Sequence, residues 1–452
     1  MTLHTIILAA GKGTRMKSTR PKVLQTLAGK ALVAHVLDTC ANIHADNTVL
    51  IYGFGGEMVK TALADYPITF AEQAEQLGTG HAVKMALPHL PTTGKSLILY
   101  GDVPLTQAAT LQKLVAANTD GISMLTLQVA NPFGLGRIIR ENGKVVAIVE
   151  QKDASEEQKR ITEINSGIYC VDNALLHKYL PILSNDNAQG EYYLTDIVKL
   201  AVNDGINITT IAPEFDFEIE GVNDRIQLAN LERTYQAHQI HALQLGGVQF
   251  ADPARVDIRG TLHCGQDVFI DINTVFVGEV VLGDGVQIDA GNIITSSQIG
   301  SHTHIKPNCV IDDSQIGCDA SIGPFAHLRP KSVLSDKVKI GNFVETKKST
   351  VGYGSKINHL SYVGDSVVGR DVNIGAGVIT CNYDGVNKFT TTIGDNAFIG
   401  SNSSLVAPVK IGAGATIGAG SVITKNADDG KLTLSRAKQA TIDGWVRPVK
   451  KG

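Results

Sequence analysis

The sequence predicts two architectures on one chain. An α/β domain with a mostly parallel sheet is expected over residues 1–224, and stacked coils of short strands over residues 247–452, with a linking helix over 225–246. Three observations predict it. Short apolar runs alternate with helical stretches in the first part. Apolar residues then recur at a step of six. Glycine also thickens, from 19 in residues 1–246 to 24 in residues 247–425, because corners and turns use it.

The strand runs of the first part are Thr5 to Leu8, Thr48 to Tyr52, Ser96 to Leu99, Ser123 to Val129 and Lys144 to Val149. From Arg225 to Leu245 there is neither Gly nor Pro, and Leu228, Leu231, Tyr235, Ile240 and Leu243 fall at helical spacing. After Gly247, Ile393, Ile399, Leu405, Ile411, Ile417 and Ile423 keep the step of six, as do Ile316, Ile322, Leu328, Leu334 and Ile340. Six helical residues turn about 600° and scatter such a set, whereas any even step keeps it on one face of a strand. Gly often follows the apolar residue, as in Ile316-Gly317 and Ile411-Gly412, and a small residue such as Ala320, Ala326 or Ser403 comes four places after it. The step shortens to five at Ile294–Ile299, Ile311–Ile316 and Val363–Val368, which corners can absorb, and lengthens to thirteen between Thr380 and Ile393. Much of Cys381 to Thr392 is therefore expected to leave the coil as a loop. The pattern resembles the hexapeptide-repeat left-handed parallel β-helix. That resemblance implies three hexapeptides per coil, roughly nine coils and a prism about 45 Å long.

With 40 Lys+Arg against 44 Asp+Glu, the net charge of −4 excludes a phosphate backbone as the main partner, so no nucleic acid is expected. No apolar run reaches the roughly 18 residues of a membrane span, and Ile6 to Ala10 is too short for the apolar core of a signal peptide. Six cysteines without a C-x-x-C pair fit reduced thiols. A cytoplasmic protein without membrane contact is expected.

The first strand runs into Ala9-Ala10-Gly11-Lys12-Gly13-Thr14-Arg15-Met16, with Pro21-Lys22 beyond. Small residues let backbone N–H groups approach phosphates, and Arg15 and Lys22 can neutralise a transferring phosphoryl group. A plain glycine turn has the same Gly-x-Gly, but does not call for the two cations. The strand Ser96 to Leu99 ends in Tyr100-Gly101-Asp102-Val103-Pro104. Asp102 is either an Asp turn before proline or a carboxylate placed for Mg²⁺ at the ligand-binding end of the sheet. In the repeats, His359 sits between Ile357 and Val363 on the step of six. Alternation points it inward unless a corner intervenes and brings it to the surface. Tyr362, Asn373, Lys347-Lys348 and the loop carrying Asn382-Tyr383 are company that acyl transfer needs and a scaffold does not. His302 and His304, near Asp312 and Asp313, read as a polar outer face rather than a metal site.

The succession LAAGKGTRM, PKVL, AEQLGTGHA, YGDVPL, GRI, NAQGEYYLTDI and EGVN, followed by hexapeptides with HLSYVGD and CNYDG, resembles the bacterial bifunctional N-acetylglucosamine-1-phosphate uridylyltransferases and glucosamine-1-phosphate N-acetyltransferases. The resemblance covers nearly the whole chain. It implies a Rossmann-like nucleotidyltransferase domain. Leu8 to Gly11 (Leu8, Ala9, Ala10, Gly11), Gln73, Gly78 and Thr79 would hold the uridine nucleotide beside the Tyr100-Gly101-Asp102 turn. Gly136, Glu150 and Asn165 would hold N-acetylglucosamine, Arg15 and Lys22 would stabilise phosphates, and Asp102 with Asn223 would bind Mg²⁺. In the second domain His359 would be the general base. Arg329, Lys347, Tyr362 and Asn373 would bind glucosamine 1-phosphate. Ala376, Asn382, Tyr383, Ser401, Ala419 and Arg436 would bind acetyl-CoA. UTP and acetyl-CoA would be the substrates, and the assembly a homotrimer with acetyl sites between neighbouring prisms. The basic tail, with Arg436, Lys438, Arg447, Lys450 and Lys451, is either a solvated end or a contact for CoA phosphates. One departure is Leu135 before Gly136-Arg137, where the family leads one to expect tyrosine. Two other readings compete: a nucleotidyltransferase whose β-helix only oligomerises or regulates, and a sugar-nucleotide sensor, against which Arg15, Lys22 and Asp102 together argue.

Overall fold

The computed structural model describes residues 2–450, so Lys451 of the tail lies outside the described residues. The chain divides into two compact units, Met1–Tyr235 and Gln236–Gly452.

In the first unit the strands follow the spatial order Ile208–Ile211, Ile122–Gln128, Glu163–Asp172, Lys95–Tyr100, Leu3–Ala9, Asn47–Tyr52, Thr69–Glu72. Leu3–Ala9 lies parallel to both its neighbours. Glu163–Asp172 runs antiparallel to Lys95–Tyr100 and Ile122–Gln128, and the hairpin of Arg137–Glu141 and Lys144–Val149 hangs off it. Ile6 and Leu8 pack into one core, and Ile7 and Ala9 into another. A strand covered on both faces reads as an unbroken apolar run, which is why Ile6-Ile7-Leu8-Ala9-Ala10 shows no alternation. The chain leaves Leu3–Ala9 on one side and returns on the other at Lys95–Tyr100. The C-terminal ends of these two strands therefore bound the crevice where open α/β sheets take ligands.

The helix Arg225–Leu245 is continuous. Leu231 joins Met16, Leu27, Leu32, Leu105 and Val222 in a small core of the first unit. Ile240 belongs to the core of the second, where Gln236 exchanges two hydrogen bonds of 2.8 Å with the backbone of Ile258.

The second unit is a parallel β-helix. Its coils build an 11-stranded sheet and a 17-stranded sheet, one strand of a typical coil going to the former and two to the latter. Down the 11-stranded sheet, Ile270, Ile288, Ile305, Ile322, Ile340, Ile357 and Ile374 stack rung on rung, 17 or 18 residues apart, and all are buried. Three faces of about six residues per coil produce the step of six. The stack is longer than the roughly nine coils expected, running from Gln249–Phe250 to Leu432–Thr433, and it keeps a further rung beyond Ile423, where the step of six ends. The three five-residue steps are corners turned by Ser296, Asp313 and Asp365 at φ of 42°, 39° and 46°. Gly317 and Gly412 are required by the coil above: a Cβ there would sit 2.4 Å from Asp336 Oδ1 and 2.2 Å from Asp429 Oδ1. As expected, most of the stretch from Cys381 to Thr392 leaves the wall: after the strand Ile379–Cys381 the chain loops out and returns at Thr391–Ile393.

Candidate active sites

At the crevice of the first unit lies a cavity of about 350 Å³. Leu8, Ala9, Ala10 and Gly11 form one wall, Gln73, Gly78 and Thr79 another, and Lys22, Tyr100 and Asp102 the floor. Gly101 sits behind this floor, its N–H donating to Leu8 O at 2.9 Å. The segment after Leu77 is clamped by the later NAQGEYYLTDI stretch. Gly80 N–H donates to Tyr192 O at 2.8 Å, and Leu194 N–H to Thr79 Oγ1 at 3.1 Å. Gly78, at φ +109°, has no room for a side chain, since a Cβ would lie 2.6 Å from Tyr192 O.

A second cavity, of about 670 Å³, shares Tyr100 and Asp102 with the first and is also lined by Leu135, Asn165 and Asn223. Asn223 reaches it because Val222 N–H donates to Asp102 O at 2.9 Å, tying EGVN to YGD. Gly136 and Glu150 lie together: a Cβ on Gly136 would meet Glu150 Oε1 at 3.4 Å, and Asn165 N–H donates to Gly136 O at 2.9 Å. Burial holds the proton of Glu150 more tightly than usual; Thr195 and the buried Arg137 pull the other way. Arg15 is exposed, outside both linings.

Lys22 Nζ forms an ion pair with Asp102 Oδ2 and donates to Asn223 Oδ1 at 3.2 Å. A carboxylate and an amide oxygen thus converge on a single cation. This is a hard-oxygen pair of the kind that holds Mg²⁺ when phosphates and water complete its shell. Among the described residues there is no cluster of three or more His, Cys, Asp or Glu that could hold a metal by itself.

In the second unit His359 ends the strand Lys356–His359 and is exposed, followed by Leu360 at φ 49°. The corner alternative holds, and the inward one does not. Its Nδ1 lies 3.0 Å from Asn342 Oδ1, one rung below. The same edge continues upward: Gly377 N–H donates to His359 O at 3.3 Å, Asn402 N–H to Ala376 O at 2.7 Å, and Gly420 N–H to Ser401 O at 2.8 Å. Arg436 closes the column, its Nη1 donating to Ala419 O at 3.2 Å. Residues 359, 376, 401, 419 and 436, scattered in sequence, thus line one edge of the prism with His359 at its lower end.

Around the corner, Tyr362 pairs in register with Glu345, and Lys347 with Gly364. Tyr362 lies over Gly364, where a Cβ would sit 2.3 Å from its hydroxyl. Arg329 bonds Glu345 Oε1 at 2.8 Å. Asn373 is not brought to this cluster; its ladder neighbours are Lys356 and Phe398 on the flat of the 11-stranded sheet. Asn382 is buried and donates to the buried Asp365, while Tyr383 stays exposed. Lys388, unnoticed in the sequence, crowds Lys347 from the same loop. Its ammonium, with Arg329 further off, lowers the pKa of Lys347. A like charge so close disfavours the charged form, and an anion bound among these groups would relieve the repulsion. The signal available was a lone lysine in a loop that bridges back on itself at Tyr383 and Lys388.

Comparison with known proteins agrees with the two architectures on one chain. Residues 5–148 match the MobA-like NTP transferase domain, residues 390–425 the bacterial transferase hexapeptide (six repeats), and residues 258–351 the GMPPB C-terminal domain. The chain is 66% identical over 451 residues to the bifunctional protein GlmU of Psychrobacter sp. (strain PRwf-1), covering 100% of this chain and 99% of that protein. It is 57% identical to GlmU of Acinetobacter baumannii (strain ACICU), again over 100% and 99%. GlmU of Cellvibrio japonicus is 58% identical, over 99% of this chain and 100% of its own length. Full-length identity at this level, with a nucleotidyltransferase crevice and a hexapeptide prism on one chain, places the protein in the GlmU family, as an enzyme with uridylyltransferase and acetyltransferase activities.

Proposed function

We propose the following division of labour between the two sites. The enzyme makes UDP-N-acetylglucosamine in two steps, acetyl transfer from acetyl-CoA to glucosamine 1-phosphate and then uridylyl transfer from UTP to the product. In the first step the 2-amine of the sugar attacks the thioester. Asn342 Oδ1 can only accept, so it fixes the imidazole proton of His359 on Nδ1. Nε2 is left with its lone pair to take the amine proton. The edge column above His359 offers CoA a continuous track ending at Arg436. Arg329, Lys347 and Lys388 give the sugar phosphate its counter-charge.

In the second step the phosphate oxygen of N-acetylglucosamine 1-phosphate attacks the α-phosphorus of UTP, and pyrophosphate leaves. The wall Leu8 to Gly11 and the Gln73–Thr79 segment hold the nucleotide, and Gly136, Glu150 and Asn165 the sugar. Lys22 neutralises charge on the phosphates, so positioning and electrostatics do the work. Asp102 and Asn223 would hold Mg²⁺, which supplies further neutralisation of the triphosphate when bound. Arg15, exposed in the chain as it stands, must swing inward to reach them.

The apartness of Asn373 from the Lys347 cluster supports a homotrimer, in which a neighbouring copy brings its own residues to the same sugar phosphate. We place the enzyme in the cytoplasm, where UTP and acetyl-CoA are made and thiols stay reduced; all six cysteines are free, and no helix is long and apolar enough to cross a membrane among the described residues. The observation that carries the acetyl assignment is the column from His359 to Arg436. Its test is thiol release from acetyl-CoA with glucosamine 1-phosphate, wild type against His359→Ala, with pyrophosphate release from UTP and N-acetylglucosamine 1-phosphate followed in parallel. Loss of thiol release alone is the expected result. Unchanged thiol release removes His359 from the mechanism.

A further inference from the structure

We propose that His81 is a positioning residue for base selection: its imidazole fixes the Gln73 amide with the carbonyl turned to the nucleotide cavity, which favours uracil over cytosine. The inference rests on the placement of the nucleotide beside Gln73. Gln73 lines the cavity and is only 4% exposed. Its Nε2 faces two acceptors, Gly78 O and His81 Nδ1, each at 3.1 Å. An amide nitrogen carries two hydrogens, so both are committed to the protein. Oε1 takes part in none of the hydrogen bonds found among the described residues, and it is the polar atom left for a ligand.

Two anchors matter more than one. With Gly78 O alone, the amide plane can turn about a single hydrogen bond and aim its second N–H into the cavity. With His81 Nδ1 as well, the plane is fixed and only the carbonyl is on offer. For Nδ1 to accept, the ring hydrogen must sit on Nε2. Uracil presents an N3–H donor that suits a carbonyl. Cytosine presents a lone pair at N3, which faces the carbonyl oxygen unpaired.

The surroundings hold the ring in place. His81 belongs to the short helix Thr79–Lys84, whose start is clamped by Tyr192 and Leu194. The imidazole packs beside the Tyr192 ring, centroids 6.4 Å apart. Leu77, Leu180 and Leu183 share a cavity of about 240 Å³ with it, so a leucine at this position meets apolar neighbours.

The test compares kcat/KM for UTP and CTP, with N-acetylglucosamine 1-phosphate as co-substrate, in wild type, His81→Leu and His81→Asn. One hydrogen bond worth about 1.4 kcal/mol corresponds to tenfold. His81→Leu should therefore lower the UTP/CTP ratio about tenfold, through KM for UTP, while KM for N-acetylglucosamine 1-phosphate stays in place. His81→Asn puts a carbonyl oxygen near the position of Nδ1 and should recover most of the ratio. A structural role alone would move both KM values together and would not be rescued by Asn. Should His81→Leu not fold, the wild type still decides: UTP lacking the N3–H through N3-methylation must lose binding at least as severely as CTP. An unchanged ratio in His81→Leu, no recovery in His81→Asn, or a wild type indifferent to CTP overturns the inference while leaving uridylyl transfer intact. Wild type releasing no pyrophosphate from any nucleotide would overturn the reading of the site itself.

Discussion

Consider a single methyl group added at Gly341. The ladder puts Gly341 between Ile340, paired with Ile357, and Asn342, paired with His359. A Cβ at 341 would lie 1.8 Å from Asn358 O, 2.5 Å from Asn358 C and 2.7 Å from Asn358 Cα. These are backbone atoms of the next rung, which no rotamer change can move aside. Heavy atoms do not sit closer than about 3.0 Å to a Cβ, so the rung must shift by about an ångström. Overpacking of this kind costs about 1–3 kcal/mol. The functional cost is larger, because both partners of the His359–Asn342 hydrogen bond are one residue from the collision. Misplacing a reacting group by about 1 Å costs about 10²-fold in rate. Gly341→Ala should therefore lower thiol release about a hundredfold and leave pyrophosphate release within twofold of wild type, with both followed on one preparation. Thiol release within threefold of wild type would show that the edge tolerates an ångström of displacement, and the rigid-column reasoning would fail.

Three further outcomes are expected. Glu150 is held protonated by burial to a higher pH than an ordinary glutamate; as pH falls through that raised value it loses the charge that, in the proposed sugar site, would accept from a hydroxyl. KM for N-acetylglucosamine 1-phosphate should then rise on the acid side at a higher pH than an exposed carboxylate would give, and Glu150→Gln should flatten that limb in a pH profile. Lys388 lowers the pKa of Lys347, so Lys347 loses its charge early as pH rises. Lys388→Ala should raise KM for glucosamine 1-phosphate about tenfold near neutrality and move the remaining alkaline limb to higher pH, as initial rates of acetyl transfer would show. Chelation of divalent metal should abolish pyrophosphate release and spare thiol release; Asp102→Asn should reproduce that split at ordinary Mg²⁺ concentrations.

Much of the prism was legible because its physics is repetitive. Ile322, Ile340 and Ile357 occupy equivalent rungs, so each imposes the same demand on the sequence and the demands add to a period. Corners were harder to read. Phe325, Phe343 and Leu360 all turn at positive φ, 54°, 54° and 49°, although bulky side chains seldom adopt it, and no local propensity announces them. The corner at Leu360 is what brings His359 to the surface. In the first unit, the crevice residues Ala9, Gly11 and Asp102 lie beside strand ends and could be found from the strands alone. Glu163–Asp172 escaped because its apolar run Ile168 to Val171 is antiparallel in an otherwise parallel neighbourhood, which depends on partners distant in sequence. Lys388 escaped for a different reason: a charge in a loop acquires meaning only when the loop folds back on Lys347.

That loop has a wider consequence. Ile374 and Ile399 are 25 residues apart in sequence, yet pair as adjacent rungs like any residues 17 or 18 apart. The wall does not record how much chain was spent outside it between one rung and the next. Length and composition of such an excursion can change while every buried isoleucine keeps its neighbours, because the ladder is set by the residues that return. A fold of this kind separates two tasks that a globular core must satisfy together, and chemistry at its rim can be rewritten without renegotiating the packing beneath.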